Sequence, residues 1–124
     1  MRATICVDFD GTVVSHEYPE VGADVPNAER VLKRLTHQGN RLILWTMRSG
    51  EHLDDAVQWF KDRDIELFGV NGNPEQSEWT DSPKAYAQIY IDDAAFGCPL
   101  RTNPAVGGRP IVDWLKVEES LCNA

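Results

Sequence analysis

Two aspartates near the start of the chain stand where a buried strand gives way to a tight turn. Asp8 and Asp10 follow the apolar residues 3–7, and Gly11 comes directly after them. The carboxyl end of a strand in an open α/β sheet faces the crevice in which such sheets bind ligands. A carboxylate there is a nucleophile for phosphoryl transfer, and paired carboxylates are ligands for Mg²⁺. This segment therefore predicts metal-assisted phosphoryl chemistry.

Reactive side chains also end two later apolar segments. Thr46 closes residues 41–46, and the pair Asp92 and Asp93 closes residues 89–93. Lys84 lies just before the last of these segments, and Arg48 lies two residues beyond Thr46. If the segments are parallel strands, their carboxyl ends share one edge of a sheet. A nucleophile, a proton donor, phosphate-oxygen donors and Mg²⁺ ligands would then meet at that edge, as phosphoryl transfer requires.

The elements that must position these groups alternate between strand and helix. Residues 3–7, 41–46, 65–70 and 89–93 read as strands, while 26–39 and 49–63 carry apolar residues at helical spacing. Ser82-Pro83-Lys84 has the sequence of a helix start, and residues 111–121 are predicted to form a closing helix. We expect an α/β fold with a mostly parallel sheet covered on both faces, and a flap-like segment at 13–25.

Composition narrows the class of protein. A chain of 124 residues suits one domain, so residues 1–124 are predicted to form a single unit. Its 12 Lys and Arg against 20 Asp and Glu give a net charge of -8, which makes nucleic acid an unlikely partner. Three cysteines without a C-x-x-C pair indicate reduced thiols. No signal peptide or membrane span is visible, so we expect a cytoplasmic protein.

Four motifs in order resemble those of the haloacid dehalogenase superfamily of phosphohydrolases. The segment Val7-Asp8-Phe9-Asp10-Gly11-Thr12 is similar to its first motif, a hydrophobic strand followed by D-x-D-G-T. Thr46 matches the second motif, Lys84 the third, and the pair Asp92 and Asp93 the fourth. The resemblance implies a Rossmann-like three-layer sandwich and a phosphatase that forms an aspartyl-phosphate intermediate.

The same resemblance assigns roles to individual residues. Asp8 would be the nucleophile and Asp10 the general acid and base. Thr46 and Lys84 would hold the phosphoryl group. Apart from the resemblance, the position of Arg48, two residues beyond Thr46, makes it a candidate either for binding the substrate phosphate or for stabilising a turn. Mg²⁺ would be bound by Asp8, by the backbone carbonyl of Asp10, and by Asp92 or Asp93, so these four aspartates form the expected metal site.

The spacing between motifs leaves no room for a large cap domain. Only the 13–25 segment and one helix fit between Asp10 and Thr46. In the family that the chain resembles, members without caps act on large substrates or borrow a neighbouring subunit to cover the site. The phosphorylated substrate is therefore a small molecule or a macromolecule, and a homo-oligomer is one means of covering the site. Fold alone leaves an alternative open, a non-catalytic Mg²⁺- or phosphate-binding module that acts through partner interaction.

Other motifs are missing or out of order. The chain has no P-loop and no G-x-G-x-x-G. A receiver domain would place its lysine after the last acidic residues, whereas Lys84 precedes Asp92 and Asp93. His16 lies in the 13–25 segment, where the resembling family places its specificity elements, and is a candidate substrate contact.

Overall fold

A four-stranded parallel sheet forms the centre of the computed structural model, which describes residues 2–123. Its strands are β1 (Thr4–Val7), β2 (Arg41–Leu44), β3 (Gly69–Val70) and β4 (Ile89–Ile91), in the order β3-β2-β1-β4. Val7 lies opposite Leu44 on one side and Ile91 on the other. The carboxyl ends of β1, β2 and β4 therefore reach the same edge, which confirms the predicted α/β class and its parallel sheet.

Three helices pack on one face of this sheet: α1 (Ala28–His37), α2 (Gly50–Asp62) and α3 (Trp114–Leu121). Beneath the helices lie aliphatic side chains from every second residue of the strands. They include Ile5, Val7, Leu42 and Leu44, all of which have no exposed surface. Each helix buries an apolar stripe against them, which is how a short helix gains most of its stability.

The opposite face is covered by extended chain. Cys6 and Ile43 point to this side and pack against Ala85, with Tyr90 at the margin. The helix predicted to start at Ser82-Pro83-Lys84 is absent, and this prediction is wrong. The backbone of residues 82–86 is instead held by the side chain of Gln76, which donates to the carbonyls of residues 82 and 84 and accepts from the amide of residue 86. Hydrogen bonds to the side-chain amide of Gln76 thus replace the backbone hydrogen bonds that would close a helical turn.

The closing helix begins later than the sequence indicates. Ile111–Val112 forms a strand, β6, that pairs antiparallel with β5 (Leu100–Arg101). Helix α3 then starts at Trp114, where the side chain of Asp113 accepts a hydrogen bond from the backbone amide of Lys116. Such a cap satisfies an amide that the first turn leaves free, so it sets the start of the helix.

The 13–25 segment consists of turns and isolated bridges between β1 and α1. Val13, Val14 and Val25 are buried in the core, whereas residues 17–21 are exposed. The segment is thus anchored at both ends and presents its middle to solvent. Within residues 2–123 none of the helices has the length and apolar character needed to cross a bilayer.

Candidate active site

Three carboxylates meet at the carboxyl edge of the sheet. One oxygen each from Asp8, Asp92 and Asp93 lies within 4.8 Å of the others. Asp8 follows β1 and donates its backbone amide to the carbonyl of Ile91, at 3.0 Å. Asp92 and Asp93 follow β4, the immediate neighbour of β1. The register of two adjacent parallel strands therefore brings together groups more than eighty residues apart in the sequence.

Thr12 joins the two sides of this cluster. Its hydroxyl donates to Asp8 Oδ2 at 2.9 Å and accepts from the backbone amide of Asp93 at 3.2 Å. Because the side chain is buried, both bonds are shielded from water. No role was assigned to Thr12 from the sequence. In the structure its hydroxyl fixes the position of the Asp8 carboxylate relative to the backbone of Asp93.

The turn after Asp10 is braced by the end of the chain. Gly11 adopts φ +85°, and its carbonyl accepts from the amide of Val112 at 3.2 Å. The Trp114 indole donates to the Thr12 carbonyl at 2.7 Å. A positive φ is costly for most residues with a Cβ, and a Cβ at this position would overlap the His16 ring, so the turn favours glycine. Strand β6 and helix α3 thus support the loop that carries the first two aspartates.

Burial and repulsion disfavour negative charge in the cluster. Burial, hydrogen bonding with Asp93 and the charge of Asp92 raise the pKa of Asp8 to about 8. Burial also raises the pKa of Asp92, and the Asp93 carboxylate adds to that effect. Carboxylates packed together repel each other when ionised, and a cation between them removes that repulsion. Oxygen ligands at this spacing suit a hard divalent ion.

His16 lies behind Asp93. Its Nε2 is 3.0 Å from the carbonyl of Pro110 and 3.5 Å from Asp93 Oδ2. The ring is mostly buried and does not line the cleft described below. His16 was expected to be a candidate substrate contact, whereas the structure places it against a carboxylate of the cluster. No spacing rule reveals this contact, because it depends on how the 13–25 segment folds over the turn.

The carboxylate of Asp10 pairs with Arg48 and does not belong to the group formed by the other three. Arg48 Nε donates to Asp10 Oδ2 and Nη2 donates to Oδ1, both at 2.8 Å. The Arg48 side chain is 1% exposed and that of Asp10 is 21% exposed. Arg48 was a candidate either for binding substrate or for stabilising a turn, and in the structure its side-chain donors are occupied by protein acceptors. A substrate contact by Arg48 would require these bonds to open.

Thr46 and Lys84 differ in their relation to the site. Thr46 lies at the cleft, where its hydroxyl accepts from the Arg48 amide at 3.2 Å. Lys84 is exposed and does not line the cleft; its Nζ is 5.9 Å from the centre of the Tyr90 ring. Residues 83 and 84 form a bend where a helix start was predicted, and from this bend Lys84 does not reach the lining of the cleft.

An open cleft of about 510 Å³ gives access to these groups. It is lined by four carboxylates, one guanidinium, two hydroxyl-bearing side chains and two apolar ones: Asp8, Asp10, Tyr18, Thr46, Met47, Arg48, Asp92, Asp93 and Ala94. Met47 is fully exposed, and Tyr18 stands at the rim with its ring against His52. The arrangement places three carboxylates that could hold a cation and the further carboxylate of Asp10 in one cleft open to solvent.

Comparison with known proteins identifies one solved relative. No protein-family model and no curated protein matches the chain. The structure of a conserved protein coded by a locus of Bacteroides thetaiotaomicron superposes with a TM-score of 0.79 and is 39% identical in sequence. The alignment covers 99% of this chain and 92% of that one. The chain therefore belongs to the same family as this conserved Bacteroides protein.

Proposed function

We propose that the protein is a Mg²⁺-dependent phosphatase of the haloacid dehalogenase type, with a Rossmann-like sandwich and no large cap, that acts in the cytoplasm. The observation that carries this proposal is the cluster of Asp8, Asp92 and Asp93 within 4.8 Å, beside Asp10 in an open cleft. An ion bound there would neutralise the charge of a phosphate ester as it approaches the carboxylates.

The residues of the chain divide the chemistry between them. The carboxylate of Asp8 attacks phosphorus, the bond to the leaving oxygen breaks, and Asp10 delivers a proton to that oxygen. Asp10 then takes a proton from water, which attacks phosphorus of the Asp8 acyl phosphate and restores the carboxylate. Thr12 keeps Asp8 in place by its hydrogen bond. The hydroxyl of Thr46 would bond the phosphoryl oxygens, and Lys84 would join it by swinging its exposed side chain toward the cleft.

Turnover of an aryl and an alkyl phosphate in the presence of Mg²⁺ tests this proposal. We expect Asp8→Asn to abolish turnover and phosphoenzyme trapping, because an amide is a poor nucleophile. Asp10→Asn should lower turnover of the alkyl ester by roughly 10²–10⁴-fold, and that of the aryl ester much less. Asp81→Asn, an exposed aspartate outside the cleft, is the matched control and should leave both rates unchanged.

Two results would contradict the proposal. If phosphoprotein can still be trapped in Asp8→Asn, Asp8 is not the nucleophile. If turnover is undiminished in excess chelator, the reaction does not depend on a metal ion. A wild-type protein that binds Mg²⁺ but hydrolyses neither ester would support the non-catalytic module instead.

A further inference from the structure

We propose that Arg48 is a positioning residue, which orients the carboxylate of Asp10 and ties it to the exposed part of the 13–25 segment and to helix α2. The proposal rests on the proposed function in one respect, that Asp10 is the acid and base. The contacts of the guanidinium carry the rest.

Every donor of Arg48 is occupied. A guanidinium has five N–H donors. Two of them reach Asp10 as a fork, and Nη2 also donates to the Glu20 carbonyl at 2.7 Å. Nη1 donates to the carbonyls of Pro19 at 3.0 Å and His52 at 3.4 Å. A buried cation with all its donors paired inside the protein has no hydrogen-bond donor left for a phosphate.

This geometry holds the Asp10 carboxyl group in one plane. Each carboxylate oxygen accepts one guanidinium N–H, and each retains a second lone pair for a substrate or a water molecule. A paired fork fixes orientation as well as distance, unlike a single contact. Proton transfer depends on such placement, because the acid must lie within hydrogen-bond reach of the leaving oxygen.

The same side chain connects three parts of the chain. Pro19 and Glu20 belong to the exposed middle of the 13–25 segment, and His52 lies in the first turn of α2. The Tyr18 ring centre is 5.1 Å from the guanidinium carbon and 5.5 Å from the His52 ring centre. Removing Arg48 would release the segment and Asp10 together.

Arg63 offers a matched control. It donates to both oxygens of Asp24, at 2.9 and 3.0 Å, and to the Trp59 carbonyl, and it stacks on the Trp59 ring. Asp24 lies at the other end of the 13–25 segment, and neither Arg63 nor Asp24 lines the cleft. Arg63→Ala therefore removes an arginine–aspartate pair from the same segment and leaves Asp10 clamped.

Steady-state kinetics on an alkyl and an aryl phosphate test the positioning role. We expect Arg48→Lys and Arg48→Ala to lower kcat for the alkyl ester by about 10²-fold and for the aryl ester by less than about tenfold, with KM little changed. Added to Asp10→Asn, Arg48→Lys should cause little further loss. Arg63→Ala should change both esters equally, if at all. Arg48→Lys keeps the positive charge and decides the question if Arg48→Ala fails to fold.

Hydrogen exchange tests the tie to the segment without any need for activity. Amides of residues 17–22 should exchange at least about tenfold faster in Arg48→Lys than in Arg63→Ala. If the wild-type protein hydrolyses neither ester, the proposed function fails while this measurement still decides the tie. Equal kcat losses on both esters, a raised KM with kcat intact, or unchanged exchange in Arg48→Lys would overturn the proposal. A raised KM alone would indicate a direct substrate contact by Arg48.

Discussion

At the residue scale, Asp8 makes the stability of the metal-free protein depend on pH. Its folded pKa of about 8 lies above the ordinary value of 3.8, so the folded state holds a proton that the unfolded state releases. Stability therefore falls as pH rises from 3.8 through about 8, by on the order of a few kcal/mol. The proposed Mg²⁺ would bind the ionised form of Asp8, so its stabilising effect should grow over the same range.

Thermal unfolding at about pH 5.5 and about pH 8.5, with chelator or with Mg²⁺, measures this effect. We expect a lower Tm at the higher pH in chelator and a larger Mg²⁺-induced rise there. Asp8→Asn should flatten the pH dependence in chelator. A Mg²⁺-induced rise that is larger at the lower pH would contradict the assignment of Asp8 as a ligand.

At Gly11, both the backbone conformation and the surrounding atoms disfavour a side chain. A Cβ there would lie 2.7 Å from Asp93 Oδ2 and would overlap the His16 ring. Gly11→Ala should cost about 1–2 kcal/mol from its positive φ alone and more from this crowding, and it should weaken Mg²⁺ binding. Gly50→Ala is the control, because Gly50 also has a positive φ, but outside its chain neighbours and the backbone of its own helix no atom lies within 4 Å of the added group. Denaturant unfolding and Mg²⁺ titration of both variants should differ; equal losses would show that the crowding is relieved at no cost.

At the element scale, α3 supports the turn that carries the aspartates. Its first residue, Trp114, is buried and bonds the Thr12 carbonyl, while Thr12 holds Asp8 and Asp93. Trp114→Phe should cost about 1–3 kcal/mol, because it leaves a buried carbonyl unpaired, and should lower Mg²⁺ affinity. Trp79→Phe is a suitable control, since Trp79 is exposed and contacts the Tyr86 ring. Denaturant unfolding and Mg²⁺ titration of both variants provide the comparison. Unchanged Mg²⁺ affinity in Trp114→Phe would show that α3 does not support the metal site.

At the scale of the whole molecule, the net charge of the protein should slow the approach of the proposed phosphate substrate. A protein of charge -8 repels a phosphate dianion at low ionic strength, and salt screens that repulsion. We expect kcat/KM for a small phosphate ester to rise about two- to threefold between about 10 and 150 mM NaCl. Phosphocholine, whose leaving group carries a positive charge, should show a flatter dependence. A fall in kcat/KM with added salt for the anionic ester would indicate a local positive field at the cleft.

The sheet edge and its carboxylates could be predicted because each signal is local. An apolar run that ends in an aspartate is visible within a few residues, and parallel strands place all their carboxyl ends on one side. Asp8, Asp92 and Asp93 therefore come together as the order of the motifs indicates. Thr46 likewise reaches the cleft, since it follows a strand of the same sheet.

The partners of Arg48 and Lys84 depended on tertiary structure alone. Arg48 lies 38 residues from Asp10 in the sequence. Two of the carbonyls that complete its bonds, those of Pro19 and Glu20, belong to a segment without helical or strand periodicity, and the third belongs to His52 in α2. Lys84 follows a path set by Gln76, whose amide replaces the bonds of a helical turn. Which side chains end the strands can be predicted from the sequence, because burial and alternation leave a pattern within a few neighbouring residues. The partners of the charged side chains depend on packing between segments that are distant in the sequence, and a local sequence pattern does not contain that information.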